Sequence, residues 1–431
     1  MGEHLVLASK KATRTSTRSS DCGHQWETRK THPDRSSATT ILSTVEHPAS
    51  DQSRSRIPAW IALAVAALSS LLLATACKDD GGPPPAATRE APKSIRMTYF
   101  GIANWTFQIG TLNIMMDGYM TRIPQNYFSG GGGGLAFTRA GYPIDKAGVD
   151  KDNTTLAAAP GTPINLILTG HSHFDHSFDT PYWAKATGAQ VIGSQTTCYQ
   201  IQALGVPAKQ CTAVNGGEMI TLDEFVTMRV VRWNHSGTHA TNPEQHDPIE
   251  LTGIPTPDAS GNLKGGVAED FPNGGGNRGY LFTVKTADGK QLTFFVTNSG
   301  APADLNQDSL TNGVVNYGTP LNSLTKAMSD AKLSGVDLWI GGGGAPVASL
   351  TVPILHPKVY VPNHLGNFFL PFEQGLTAAF RDATLTTYLS QQSIALLPPA
   401  QYLDAFVLDA NGYRAVDNAA MLTCPLSPCH S

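Results

Sequence analysis

The chain has 431 residues, of which 41% are hydrophobic and 15% charged, with a formal net charge of −4. That length permits a sizeable buried core. The weakly acidic balance argues against nucleic acid as a partner, because phosphate backbones are held by clustered Lys and Arg.

Residues 1–56 are rich in Ser, Thr, Arg and Lys and show little apolar periodicity. They read as a disordered leader, or as a segment upstream of the true start. Arg54 and Arg56 then precede an apolar run, so residues 57–76 have the form of a signal segment. The run closes on Leu73-Ala74-Thr75-Ala76-Cys77, which resembles a bacterial lipoprotein cleavage site with Cys77 as the lipidated residue. A single uncleaved anchor is the alternative, although the run is short for a membrane span. Either way the rest of the chain is expected outside the cytoplasm, at the periplasmic side or the cell surface. Residues 77–94, with Pro83-Pro84-Pro85, form a tether, and residues 95–431 the folded domain. The first 76 residues carry nine Lys/Arg against six Asp/Glu, so the remaining 355 hold −7 of the net charge. Cys198, Cys211, Cys424 and Cys429 remain after Cys22 and Cys77 are set aside. In an oxidising compartment they are expected to pair locally, Cys198 with Cys211 and Cys424 with Cys429; free buried thiols are the alternative.

Residues 95–99, 106–109 and 112–116 alternate or run apolar between glycines and predict three strands of a meander ending at Asp117. Residues 119–162 form a long connection containing Gly130-Gly131-Gly132-Gly133-Gly134. No Lys-Ser/Thr follows and no strand–helix frame surrounds it, so a loop over a site is expected rather than a phosphate cradle. Next comes Ile164-Asn165-Leu166-Ile167-Leu168, a buried strand, and then His171-Ser172-His173-Phe174-Asp175-His176. Three imidazoles and a carboxylate within six residues, opening from a strand end, are the donors that a divalent transition metal takes, zinc above all. Asp179-Thr180-Pro181 predicts a capped helix start. A strand at 189–193, a helix at 195–204 and strands at 219–222 and 224–232 follow. The last delivers His235, with His239 four residues further on. Residues 240–279 form a second loop insertion, in which His246 and Asp247 either contact substrate or sit in a solvated loop. A hairpin at 279–285 and 291–297 turns at Asp288-Gly289. A helix is expected near 377–391.

His171-Ser172-His173-Phe174-Asp175-His176 is the HxHxDH signature of the metallo-β-lactamase superfamily, and the chain resembles that superfamily over about residues 95–370. The resemblance implies an α/β fold, an αββα sandwich of two sheets with helices outside, here with two long loop insertions. It implies that His171, His173 and His235 bind one metal, with His239 the alternative to His235, and that Asp175, His176 and His364 bind a second. The family's bridging Asp follows the strand at 292–296; here that place holds Asn298, a weak ligand, with Asp304 as a nearby substitute. Asp337-Leu338-Trp339-Ile340-Gly341-Gly342 and Pro362-Asn363-His364-Leu365-Gly366-Asn367-Phe368 resemble the branch that includes L-ascorbate-6-phosphate lactonases and N-acyl-phosphatidylethanolamine-hydrolysing phospholipases D. His356 reads equally as structural or functional, and Ile102 stands where many relatives carry a histidine. The implied cofactor is Zn2+, one ion or two, with Mn or Fe as alternatives. The implied activity is hydrolysis by metal-bound hydroxide of a phosphodiester, lactone or other ester, a small molecule or a lipid, with Asp175 orienting the nucleophile or taking its proton. The other reading is a degenerate lipid-anchored protein that binds a metal or ligand without turnover.

Overall fold

The computed structural model describes residues 89–418, apart from 159, 160, 375, 377 and 378. The leader, the signal segment, Cys77 with most of its tether, and the Cys424/Cys429 pair lie outside the described residues.

Two mixed sheets carry the domain. The first runs, in spatial order, Gly412–Val416, Ala405–Asp409, Ser94–Tyr99, Trp105–Ile109, Leu112–Met116, Leu166–Leu168, Gln190–Gly193 and Cys211–Ala213. The second runs Ala395–Leu396, Pro357–Pro362, Val336–Gly341, Gln291–Val296, Asn277–Lys285, Val226–Trp233 and Met219–Thr221. Each is antiparallel in one half and parallel in the other. Parallel neighbours need crossovers, and these supply the outer helices.

The alternation of side chains along the second sheet explains the layering. Met228 and Val230, Phe282 and Val284, Phe294 and Val296, Leu338 and Ile340 all enter the core that also holds Met97, Phe107 and Ile114 of the first sheet. Their odd neighbours Val231, Trp233, Leu281, Phe295 and Trp339 point the other way. There they meet Leu321 and Leu324 of helix Pro320–Asp330, Val347 and Val352 of helix Gly344–Leu355, and Leu385 and Leu389 of helix Ala383–Gln391. A strand buried on both faces is largely apolar, as in Phe294-Phe295-Val296 and Leu338-Trp339-Ile340. Helices Lys146–Ala158, Thr180–Thr187 and Gln195–Ala203 contribute Val149, Leu156, Trp183, Ala184 and Ile201 to the core of the first sheet. The result is the expected αββα sandwich.

Several expectations shift in detail. Of the helix predicted at 377–391, the described residues form Ala383–Gln391. Asp179 precedes its helix but does not cap it; its carboxylate turns to accept Met120 N and Thr121 N, at 2.5 and 2.8 Å, and so ties down the chain after the third strand. The connection 119–162 is more ordered in pattern than a plain loop. It contains a helical turn, Gly131–Gly134, and the helix Lys146–Ala158. Cys198 and Cys211 form a disulfide, as expected, joining the helix Gln195–Ala203 to the edge strand Cys211–Ala213. No helix among the described residues is long and apolar enough to cross a membrane.

Candidate metal centre

The motif loop leaves the strand Leu166–Leu168 and is fastened on several sides before it turns into Phe174–Ser177. Tyr280 OH donates to Thr169 O (2.8 Å), Gly170 N to Asp117 Oδ1 (2.9 Å), and Arg278 N to Gly170 O (2.8 Å). Gln200 Nε2 and Ser177 Oγ both donate to Ser172 O, each at 2.9 Å. These bonds fix the backbone of the loop that carries the histidines.

Three other strand ends bring the remaining residues. His235 lies two positions past Val226–Trp233, and Asn234 Nδ2 anchors that turn on Ala301 O (2.7 Å). Asn298 lies two positions past Gln291–Val296. His364 lies two positions past Pro357–Pro362. Its backbone is left-handed, with φ of 60°, a region that non-glycine residues seldom occupy. Leu365 is bridged to Ile102, and Tyr99 OH donates to Leu365 O (2.8 Å), so the neighbouring contacts fix that conformation. Ile102, which replaces a polar residue in the resemblance, serves as a fastening for the His364 loop.

Two groups of ligand atoms result. His171, His173 and His235 each present one nitrogen, and the three atoms lie within 4.8 Å of one another. Asp175, His176 and His364 do the same. The rings of His171 and His176 are 4.1 Å apart between centroids, so the groups adjoin. His239, the alternative to His235, is outside: its side chain is 79% exposed and pairs with Asp247 at 2.7 Å. Asp304 is also outside, pairing with His246. His356 is the C-cap of the helix Gly344–Leu355 and belongs to neither group.

Asn298 does not take the bridging place. Its Oδ1 lies 3.2 Å from His171 Nδ1, and its Nδ2 donates to Asp117 Oδ2 (2.9 Å) and lies 3.1 Å from His176 Nδ1. Asn298 thus touches the Nδ1 sides of both rings, while His171 Nε2 faces His173 and His176 Nε2 faces Asp175. It orients the two rings from behind. Asp117 does the same, accepting from His176 Nδ1 at 2.9 Å. Its role was missed at the level of sequence, where Asp117 was read only as the end of a strand.

The electrostatics suit cation binding. Burial pushes the pKa of His171 and His173 well below the usual histidine range, and the adjoining imidazoles push the same way. Burial also brings His235 down to about 3. All three are neutral at pH 7, with lone pairs free to ligate. His173 turns Nδ1 toward His171 Nε2, at 3.1 Å, so these two nitrogens face the place where an ion would sit. In the second group burial works against charge, yet Asp175 and Asp117 raise His176 to about 10. Burial likewise opposes the charge of Asp175, while His176 and His364 hold it well below the usual carboxylate range. One neutral trio beside one carboxylate-bearing trio is a donor set that fits zinc.

Two face-to-face mixed sheets, helices outside, and a histidine–aspartate centre where the strand-end loops meet decide the architecture. The fold is that of the metallo-β-lactamases. No family model matches the chain. A 92-residue stretch is 34% identical to a protein named UPF0173 metal-dependent hydrolase from Methylocella silvestris, covering 21% of this chain and 38% of that one. A 78-residue stretch is 36% identical to a protein of the same name from Pyrobaculum arsenaticum, covering 17% and 35%. The chain therefore spans about a third of the length of these curated relatives. Among solved structures, it is similar to Igni18, a metallo hydrolase from Ignicoccus hospitalis, at 14% identity and a TM-score of 0.41 over 73% of this chain and 98% of that one. It is similar also to the metallo-β-lactamase fold protein YhfI from Bacillus subtilis, at 10% identity and a TM-score of 0.38 over 73% and 99%.

Proposed function

We propose that this protein is a metal-dependent hydrolase acting on a phosphodiester, lactone or other ester. The observation that carries the reading is the pair of adjoining, largely buried ligand groups His171/His173/His235 and Asp175/His176/His364. Zinc held there would supply a water whose pKa is lowered to about 7 and a Lewis acid for the reacting oxygen. The chain supplies the rest. His171, His173 and His235 would hold the first ion and the other three the second. Asp117 and Asn298 fix which nitrogen of His176 and His171 faces the ions. Asp175, ionised and set between His176 and His364, orients the attacking water or takes its proton.

The short relatives are named metal-dependent hydrolases, which supports the reaction class. The resemblance of the 337–342 and 362–368 segments to lactonases and phospholipases D supports esters and phosphodiesters, small or lipid, as substrates. Attachment to a membrane through Cys77 belongs to the same proposal, and the Cys198–Cys211 disulfide supports an oxidising, extracytoplasmic setting. One observation favours the second reading, a binding protein without turnover: no carboxylate follows the strand Gln291–Val296 to bridge two ions, and Asn298 there lies behind the rings of His171 and His176.

Elemental analysis of the purified protein, with hydrolysis assays on phosphodiester and lactone panels, tests the proposal. Two equivalents of metal and turnover are expected. Tightly held metal without turnover leaves the binding-protein reading, and absence of tightly held metal defeats the hydrolase reading and leaves ligand binding alone.

A further inference from the structure

The six donors are unequally accessible. His171, His173, His176 and His235 are buried, each 6% exposed or less. The side chain of His364 is 30% exposed and that of Asp175 11%. The cavity that His235 lines, with Trp233 and Leu310, therefore touches a closed side of the centre. A substrate meets the donors where His364 and Asp175 surface.

Beside that opening stands a row of phenyl rings. Phe368 is edge-on to His364, with centroids 6.3 Å apart. Phe369 follows at 4.3 Å from Phe368, and Phe128 at 6.0 Å from Phe369. Phe174, the apolar residue inside the metal motif, backs the row at 5.9 Å from Phe368 and 4.5 Å from Phe128. Phe174 and Phe128 are buried, whereas Phe368 and Phe369 are half-buried against them. The segment 364–372 that supplies the front of the row contains no Lys, Arg, Asp or Glu. The side-chain oxygen of Asn367 is taken by Phe369 N, at 2.8 Å. An uncharged ring surface that starts at the most exposed donor is apolar area left for a ligand to cover.

We propose that Phe368 and Phe369 set the specificity of the centre: the alkyl acyl chain of a carboxylic ester or lactone lies along them while its carbonyl meets the donors at Asp175 and His364. The row is elongated, so a flexible chain covers more than one ring where a compact group covers one. The inference rests on the hydrolase reading and narrows it. In the reaction, water adds to the acyl carbon, the acyl C–O bond breaks, and a proton from the water passes to the departing alcohol oxygen.

The test uses the full chain loaded with zinc and the 4-nitrophenyl esters of acetate, butyrate, octanoate and benzoate. From acetate to octanoate, kcat/KM is expected to rise about twofold per methylene, which is what covering one side of a methylene supplies. Phe369→Asn is expected to flatten that rise and Phe369→Leu to keep it. Phe369 is one ring removed from His364, and metal content measured for each variant separates a lost wall from a lost ion. Rates independent of chain length, a benzoate faster than the octanoate, turnover of bis(4-nitrophenyl) phosphate alone, or an unchanged slope in Phe369→Asn overturns the inference. If neither the esters nor the phosphodiester is turned over, the hydrolase reading fails by itself. Calorimetric titration with 1-butanol and 1-octanol then decides the wall as an alkyl site: tighter, saturable octanol binding that Phe369→Asn weakens sustains it, and equal or unsaturable binding overturns it.

Discussion

Asn298 shows how one amide can serve two rings. Its oxygen accepts from His171 and its nitrogen donates to Asp117, so the side chain has a direction and cannot be replaced by a carboxylate without loss. Asn298→Asp sets two carboxylates against each other where the Asn298–Asp117 bond of 2.9 Å now lies. One of them must take up a proton or the pair must part. The metal-free variant is expected to lose about 1–3 kcal/mol in a denaturant titration, and saturating zinc is expected to restore much of the loss. Unchanged stability without metal would count against the contact. The pH dependence of the metal-free protein follows from the same residues. His235 titrates at about 3 in the folded protein, against about 6.5 when free. The unfolded chain therefore binds the extra proton, and stability present above 6.5 is lost as pH falls toward 3. His176 has the opposite sign. Its folded value of about 10 gives stability that is complete below about 6.5 and is lost as pH rises through 10. The thermal midpoint measured after chelation is expected to peak near neutrality and fall on both sides; a flat profile between pH 5 and 9 contradicts both assignments. The candidate donors that the structure groups were legible in the sequence because HxHxDH packs four of them into six positions and His235 and His364 each follow an apolar strand. The supporting role of Asn298 was not, because its partner Asp117 lies 181 positions away.

At the scale of elements, strands were easier to read than the thin helices and the end of the chain. Strands such as Gln291–Val296 announce themselves by being apolar on both faces. The helix Lys146–Ala158 buries only Val149 and Leu156 as apolar anchors, too few to mark a stripe among Lys, Asp, Asn and Thr. The strands Ala405–Asp409 and Gly412–Val416 were missed although Asn411-Gly412 is a hairpin signal; they complete the outer edge of the first sheet. The two sheets are held together by large rings. Phe282 and Phe294 stack at 4.4 Å, and Phe107 from the opposite sheet meets Phe294 at 5.1 Å. Removing the middle ring opens a cavity between the layers, so Phe294→Ala is expected to cost about 3–5 kcal/mol. A denaturation midpoint within error of the parent would contradict the packing described. Gly170→Ala probes the seam between element and site. An added Cβ would lie 2.2 Å from the Asn298 amide, which is fully buried and cannot move aside. Loss of metal retention is expected from this one methyl group, and a variant that keeps its full metal content argues against the contact.

For the whole molecule, the centre is a joint between layers. His171, His173, Asp175 and His176 extend from the first sheet, and His235 and His364 from the second. A metal there would fasten both halves of the sandwich along one edge. Zinc at about 100 times its dissociation constant is expected to stabilise the fold by about 2.7 kcal/mol. A chelator should remove that gain in a thermal scan, and a midpoint indifferent to both would deny the joint.

The disulfide gives this arrangement a practical side. The helix that carries Cys198 also carries Gln200, whose side chain holds Ser172 O at 2.9 Å and accepts from Ser177 Oγ at 2.8 Å. The floor of the histidine loop is thus moored to a covalent tie across a sequence separation of 13 residues, a closure worth about 3 kcal/mol. Choice of expression host and buffer therefore becomes part of the biochemistry. Preparations made in a reducing cytoplasm, or stored with dithiothreitol, start with the mooring slack and with a competing thiol for zinc. Material exported to an oxidising compartment carries its tie from the outset, and batch-to-batch differences in metal content should follow that history.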